Sequence, residues 1–126
     1  MSKRRSIDHL DKLPTILGHE IRHVGVLDGR ENYVVHGRVD GDGDIDGVLL
    51  IGDAALWVGN IVADMVVVKG RVDGHIHARF KLEIRSSARI KGDLSSPLIA
   101  VAEGAVVQGR IGTDSIITRF IERRVH

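Results

Sequence analysis

The chain has no cysteine, so no disulfide framework holds it together. Proline occurs only twice, and aromatic side chains make up 3% of the residues. A core built with so few rings must come from Val, Ile, Leu and Ala, which suits a thin core better than a thick globular one. No apolar stretch approaches the ~20 residues that span a bilayer, and no apolar segment of signal-peptide type follows Lys3-Arg4-Arg5. A cytoplasmic protein is the expectation. Charge of one sign is also missing. Eighteen basic residues face seventeen acidic ones, a net +1, so no broad cationic surface for nucleic acid is expected. At 126 residues the chain has room for one domain.

Glycine is abundant, with 15 residues, and it is placed periodically. Val34-Val35-His36-Gly37-Arg38-Val39-Asp40-Gly41 returns 33 positions later as Val67-Val68-Lys69-Gly70-Arg71-Val72-Asp73-Gly74. Leu49 matches Leu82, Ala55 matches Ala88, and Gly59 matches Gly92. An offset of 17 links Ala88-Arg89-Ile90-Lys91-Gly92 to Ala105-Val106-Val107-Gln108-Gly109, which makes 33 two units of 16 or 17. Apolar and polar residues alternate within a unit, as in Lys81-Leu82-Glu83-Ile84-Arg85, the period of strands with one face buried. The apolar positions fall into three columns. The first runs Val34, Ile51, Val67, Ile84, Val101, Ile117; the second Val39, Trp57, Val72, Ile90, Val107; the third Ile45, Ile61, Ala78, Leu94, Ile111. Three short strands per turn predict an all-β, three-sided parallel β-helix of about six coils. Right-handed crossovers are expected. Its domain runs over 16–118, between a basic N-terminal tail (1–15) and a C-terminal tail (119–126).

These segments, Gly37–Gly41, Gly70–Gly74, Ala88–Leu94 and Val101–Gly109, resemble the bactofilins, bacterial cytoskeletal proteins. The likeness covers roughly residues 30–112. It implies a right-handed β-helix that polymerises end to end, without nucleotide or other cofactor, into non-polar filaments. It further implies a scaffold for cell shape or polar organisation, recruiting cell-wall or polarity proteins, and an N-terminal tail on the inner membrane. Two departures stand out: Ala105–Gly109 lacks the aromatic residue common in the family's last coil, and Ile16–Glu31 follows the pattern less well.

Physics points the same way. Each end of a β-helix exposes unpaired backbone groups and the cut face of the core, and such edges recruit further strands. Ile116, Ile117, Phe120 and Ile121 cluster after the last clear coil, next to Val107. They form either a lid over the core or the self-association contact. In the tail, Ile7 and Leu10 lie beside Lys3, Arg4 and Arg5, a pattern that fits either a solvated tail or a weak anchor on anionic lipid.

Several motifs suggest other chemistry. His19-Glu20-Ile21-Arg22-His23 matches the zinc-protease pattern, which needs a helix so that both histidines share a face. Flanking glycines and β-branched residues predict a strand instead, with the rings ~13 Å apart. Asp42-Gly43-Asp44-Ile45-Asp46-Gly47, with Asp53, matches a calcium loop, but between strands rather than helices. His75 and His77 are expected to point outward as a lone pair. No metal, catalytic or cofactor residue is assigned, and no enzyme activity is expected. The alternative is a left-handed β-helix acyltransferase or γ-type carbonic anhydrase-like trimer, suggested by Ile51-Gly52-Asp53-Ala54-Ala55-Leu56-Trp57-Val58-Gly59.

Overall fold

A computed structural model describes residues 15–18, 22–30, 32–112 and 115–121. Fifteen strands and no helix make up these residues, and every strand pairing is parallel. The chain winds through three faces in each turn. The first face is a six-stranded sheet: β2 (Arg22–Val24), β5 (Arg38–Asp40), β7 (Leu56–Val58), β9 (Arg71–Asp73), β11 (Arg89–Lys91) and β14 (Val106–Gln108). One strand per coil gives six coils. The second and third faces share a nine-stranded sheet, because β6 (Gly43–Ile51), β8 (Ile61–Val68) and β10 (Ile76–Ile84) turn the corner between them without a break. At that corner the register shifts between Ile45 and Val48 and between Ala78 and Lys81. Shorter strands complete the two faces. β3 (Leu27–Gly29) and β12 (Leu94–Ser95) lie on the second. β1 (Thr15–Leu17), β4 (Tyr33–Val35), β13 (Leu98–Ala102) and β15 (Ile116–Phe120) lie on the third.

The core is a stack of aliphatic rungs. Val39, Trp57, Val72, Ile90 and Val107 stand in register on the first face, as the second sequence column requires. The other two columns need correction. On the third face Val35, Ile51, Val68 and Ile84 point inward, and Val34 and Val67 point outward, in register with Leu50 and Glu83. Ile117 pairs with Ile99, one inward position earlier than expected. The cause is visible in the strands: Tyr-Val-Val, Val-Leu-Leu-Ile and Met-Val-Val-Val are apolar on both sides, so alternation gives no phase. The third column is two. Ile61, Ile76, Leu94 and Ile111 share one register, and Ile45, Ala63 and Ala78 share another. Trp57, fully buried, lies over Gly43, where a Cβ would come within 2.7 Å of its ring. Its Nε1 has no hydrogen-bond partner among the described residues, a cost of about 1–3 kcal/mol that the burial of the ring must outweigh.

Coils are less uniform than 16–17 residues. The step from Val39 to Trp57 is 18, from Trp57 to Val72 it is 15, and from Val72 to Ile90 it is 18. Two of the three residues of difference arise where the third face meets the first, and the other at the corner of the second and third faces, where β6 and β10 have nine residues and β8 eight. Short corners (His36-Gly37, Lys69-Gly70) alternate with four-residue turns (Gly52–Ala55, Arg85–Ala88). The turns close by Ala55 N–H donating to the Gly52 carbonyl and Ala88 N–H to that of Arg85, both 3.0 Å. Long and short coils together make the 33-residue repeat.

Candidate self-association surfaces

A closed stack needs corners that stack as well as strands. Where the first face meets the second, Gly41, Gly59, Gly74, Gly92 and Gly109 lie above one another. A Cβ at Gly74 would overlap the carbonyl of Gly59, and one at Gly92 that of Gly74. Only glycine permits coils to approach this closely. The next residue in each coil builds a polar ladder. Asn60 N–H donates to Asp42 Oδ1 at 2.9 Å and His75 N–H to Asn60 Oδ1 at 3.0 Å. Asp93 N–H donates to His75 Nδ1 at 2.9 Å and Arg110 N–H to Asp93 Oδ1 at 3.0 Å. His75 thus takes the acceptor's place in the ladder through Nδ1. The ladder stops at both ends: Arg110 offers no side-chain acceptor, and Val26 occupies the corresponding place below Asp42.

The C-terminal end presents the residues expected for self-association. β15 pairs with β13 as a further strand of the third face, so 116–120 extend the sheet rather than cross the core as a lid. Ile116 and Ile121 are strongly exposed, at 69% and 73%. Ile117 caps the inward column above Ile99 and remains 43% exposed. Val107 packs on the core from β14 and is partly covered, as is Phe120, whose ring lies 5.8 Å from the Arg85 guanidinium. A shallow depression lies here between Val101, Ala102, Glu103 and the segment Arg119–Ile121. The opposite end carries a feature that the sequence reading missed. Ile16, Val24 and Val26 are 60%, 70% and 65% exposed on the first described rungs. Their signal was apolar residues in a segment that fitted the repeat poorly. Lys3, Arg4, Arg5, Ile7 and Leu10 lie outside the described residues.

The outer surfaces of the faces differ sharply. Outward on the first face stand Arg22, Arg38, Leu56, Arg71 and Arg89 in one column, and Asp40, Val58, Asp73 and Lys91 in the other. Arg22 and Arg38 both reach Asp40, at 2.6 and 3.0 Å. Burial works against ionisation of Asp40, but the hydrogen bonds and charges of Arg22 and Arg38 outweigh it and hold its carboxyl below the ordinary value. At the corner of the second and third faces, Arg79 is shared by Asp44, Asp46 and Asp64, at 3.3, 3.4 and 2.9 Å. The hydrogen bond to Asp64 leads in raising the arginine above its ordinary value, against partial burial. Outward on the third face, Ile16, Val34, Leu50 and Val67 form an apolar column, followed by Glu83, Ala100 and Thr118. Val48 and Met65 begin the column beside it, followed by Lys81.

The motifs that suggested metal chemistry are distributed among these contacts. Asp42 accepts from Asn60 N–H, Asp44 and Asp46 face Arg79, and Asp53 accepts from the Ser87 hydroxyl at 3.1 Å. Among the described residues no three His, Cys, Asp or Glu side chains gather where a metal ion needs them. His23 lies in strand β2, not on a helix; His19 and Glu20 fall outside the described residues. His75 and His77 are both exposed, as expected, but not alone: His75 also lies 3.9 Å from Asp93. No helix among the described residues is long and apolar enough to cross a membrane.

Comparison with known proteins gives a consistent result. The model of a family described as bactofilin, polymer-forming cytoskeletal, matches residues 15–112. Bactofilin BacO of Myxococcus xanthus (strain DK1622) is 31% identical over 100 residues, 79% of this chain and 79% of that one. Bactofilin BacP of the same strain is 30% identical over 97 residues, 77% of this chain but 40% of the relative. No solved structure matches the chain.

Proposed function

We propose that this chain, which belongs to the bactofilin family of polymer-forming cytoskeletal proteins, assembles end to end into non-polar filaments without nucleotide. It serves as a scaffold for cell shape or polar organisation in the bacterial cytoplasm, and it carries no catalytic site. One observation carries this reading: among the described residues both ends of the stack are open parallel-sheet edges topped by exposed apolar rungs. Like ends meeting like ends alternate two isologous contacts and give an open chain without polarity. The C-terminal contact consists of Ile116, Ile117, Phe120 and Ile121 with Val107.

The N-terminal tail attaches these filaments to the inner face of the cytoplasmic membrane through Lys3, Arg4 and Arg5, with Ile7 and Leu10 entering the interface. Each cation contributes ~1 kcal/mol near anionic lipid, which is weak for one subunit and additive along a polymer. Recruited cell-wall or polarity proteins would then share one platform.

Electron microscopy in buffer without ATP or GTP tests the core of the proposal. Filaments are expected from the purified chain, and Ile117→Asp is expected to shorten them while thermal unfolding stays cooperative. A discrete trimer by light scattering would instead favour the enzyme reading. Flotation with phosphatidylglycerol vesicles tests the tail: Lys3, Arg4 and Arg5 changed together to Glu should abolish it.

A further inference from the structure

Two of the three faces have the alternation expected of sheets with one side in water. The third does not. Its strands read as continuous apolar runs, the pattern of a sheet covered on both sides. Inward lie Leu49, Val66 and Leu82, fully buried; outward lie Leu50, Val67 and Met65, half-buried by their neighbours on the sheet. Phe80, at the corner bulge, adds a 65% exposed ring at its margin. A contiguous apolar surface of this kind marks an interface.

We infer that the third face is a lateral contact between two copies of this chain, rods side by side and coil against coil, with a two-fold axis along the rods. Charge complementarity selects this partner. The charged interruption of the stripe is the rung where Lys81 and Glu83 stand two residues apart, Nζ and Oε2 separated by 4.0 Å, and where Glu83 also holds the Arg85 guanidinium at 2.5 Å; the last rung brings Thr118 into the column. A two-fold axis along the rods reverses strand direction, so Lys81 of each copy meets Glu83 of the other. The same operation sets Val48 against Leu50 and Met65 against Val67. These three rungs thus find suitable counterparts, apolar on apolar and Lys81 on Glu83. A lipid surface would leave both charges facing hydrocarbon.

Size explains why such pairing belongs to polymers. Six rungs ~4.8 Å apart and about four residues wide at ~3.3 Å give roughly 300 Å² per copy. That is well below the ~800 Å² per partner of a stable interface. A single pair is therefore weak. End-to-end assembly repeats the patch along the filament, and the summed contacts hold two filaments together. The inference rests on the end-to-end reading for its strength, though not for its geometry.

Charge reversal tests it by electron microscopy of the full chain. Paired filaments are expected from the wild type. Glu83→Lys replaces the carboxylate that faces Lys81 and Arg85 by a further cation and should lower the paired fraction at least tenfold while leaving filament length unchanged. The double variant Lys81→Glu, Glu83→Lys restores the complement and should restore pairing. Leu50→Lys should also give single filaments. Wild-type filaments that are single, or pairing that survives Glu83→Lys, would overturn the inference. So would single filaments that bind phosphatidylcholine vesicles in a manner lost on Leu50→Lys, which assigns the face to lipid. If the wild type forms no filaments, the end-to-end reading fails, and sedimentation at high concentration decides the lateral one. A weak dimer lost on Glu83→Lys upholds it; a monomer overturns it.

Discussion

The first and third faces wrap the same core, pack equally well inward, and yet present opposite chemistry to the outside. Val39, Val72 and Ile90 of the first face are as buried as Leu49, Val66 and Leu82 of the third. Outward, the first face shows Arg38, Arg71 and Arg89, with Asp40 neutralising two arginines, whereas the third shows Leu50, Met65 and Val67. Both surfaces belong to parallel sheets of equivalent geometry, so the backbone did not demand the difference. Folding determines the inward residue of each strand; the outward one is free to answer to solvent or to a partner. A face that remains apolar outward signals assembly rather than stability.

The comparison breaks most severely at the corner on which both faces depend. Gly74→Val is expected to cost at least about 3 kcal/mol, because a side chain there overlaps the Gly59 carbonyl at a left-handed backbone. Loss of a cooperative thermal transition would register it. Next in size, Leu82→Ala should destabilise by about 2–5 kcal/mol through the cavity it leaves in a fully buried rung. By contrast Val67→Lys, on the outward side of a neighbouring strand, should change stability by no more than ~0.5 kcal/mol while separating paired filaments. Chemical denaturation and microscopy of these two variants distinguish the sides of one sheet. Arg71→Ser on the first face should leave both stability and pairing unaltered. If it separates filaments, the charged face is the lateral contact.

The smallest effect concerns Asp40. Its carboxyl is held below the ordinary value near 3.8, so its ion pairs stabilise the fold above that range and lose their effect as pH falls through the lowered value. Asp40→Asn should therefore melt slightly lower than wild type at neutral pH. In acid, below the titration of Asp40, the two melting temperatures should converge. Convergence at higher pH instead would show that the arginines do not hold this carboxylate.

Much of the architecture was legible because the repeat constrains it repeatedly. Gly59, Gly92 and Gly109 recur where coils touch through their backbones, and Val39, Trp57, Val72, Ile90 and Val107 announce the inward side because charged residues flank most of them. The same reasoning failed by one residue at Val34 and Val67, where apolar neighbours erased the alternation. It also merged two registers of the second face, since continuous strands such as β6 and β10 place two inward positions where one was counted. The polar ladder through Asp42, Asn60, His75 and Asp93 was illegible, for three different residue types perform one role there. The role is a single accepted hydrogen bond, which many side chains supply.

Sequence alone determined that this chain stacks. A recurring glycine with alternating aliphatic residues leaves a three-sided coil few competitors, because only stacking buries those residues and satisfies the backbone between them. Tertiary structure decided which residues face outward on the third side and which rungs remain uncovered at the ends. Register between coils fixes both, and a strand apolar on each side carries no local mark of its own register.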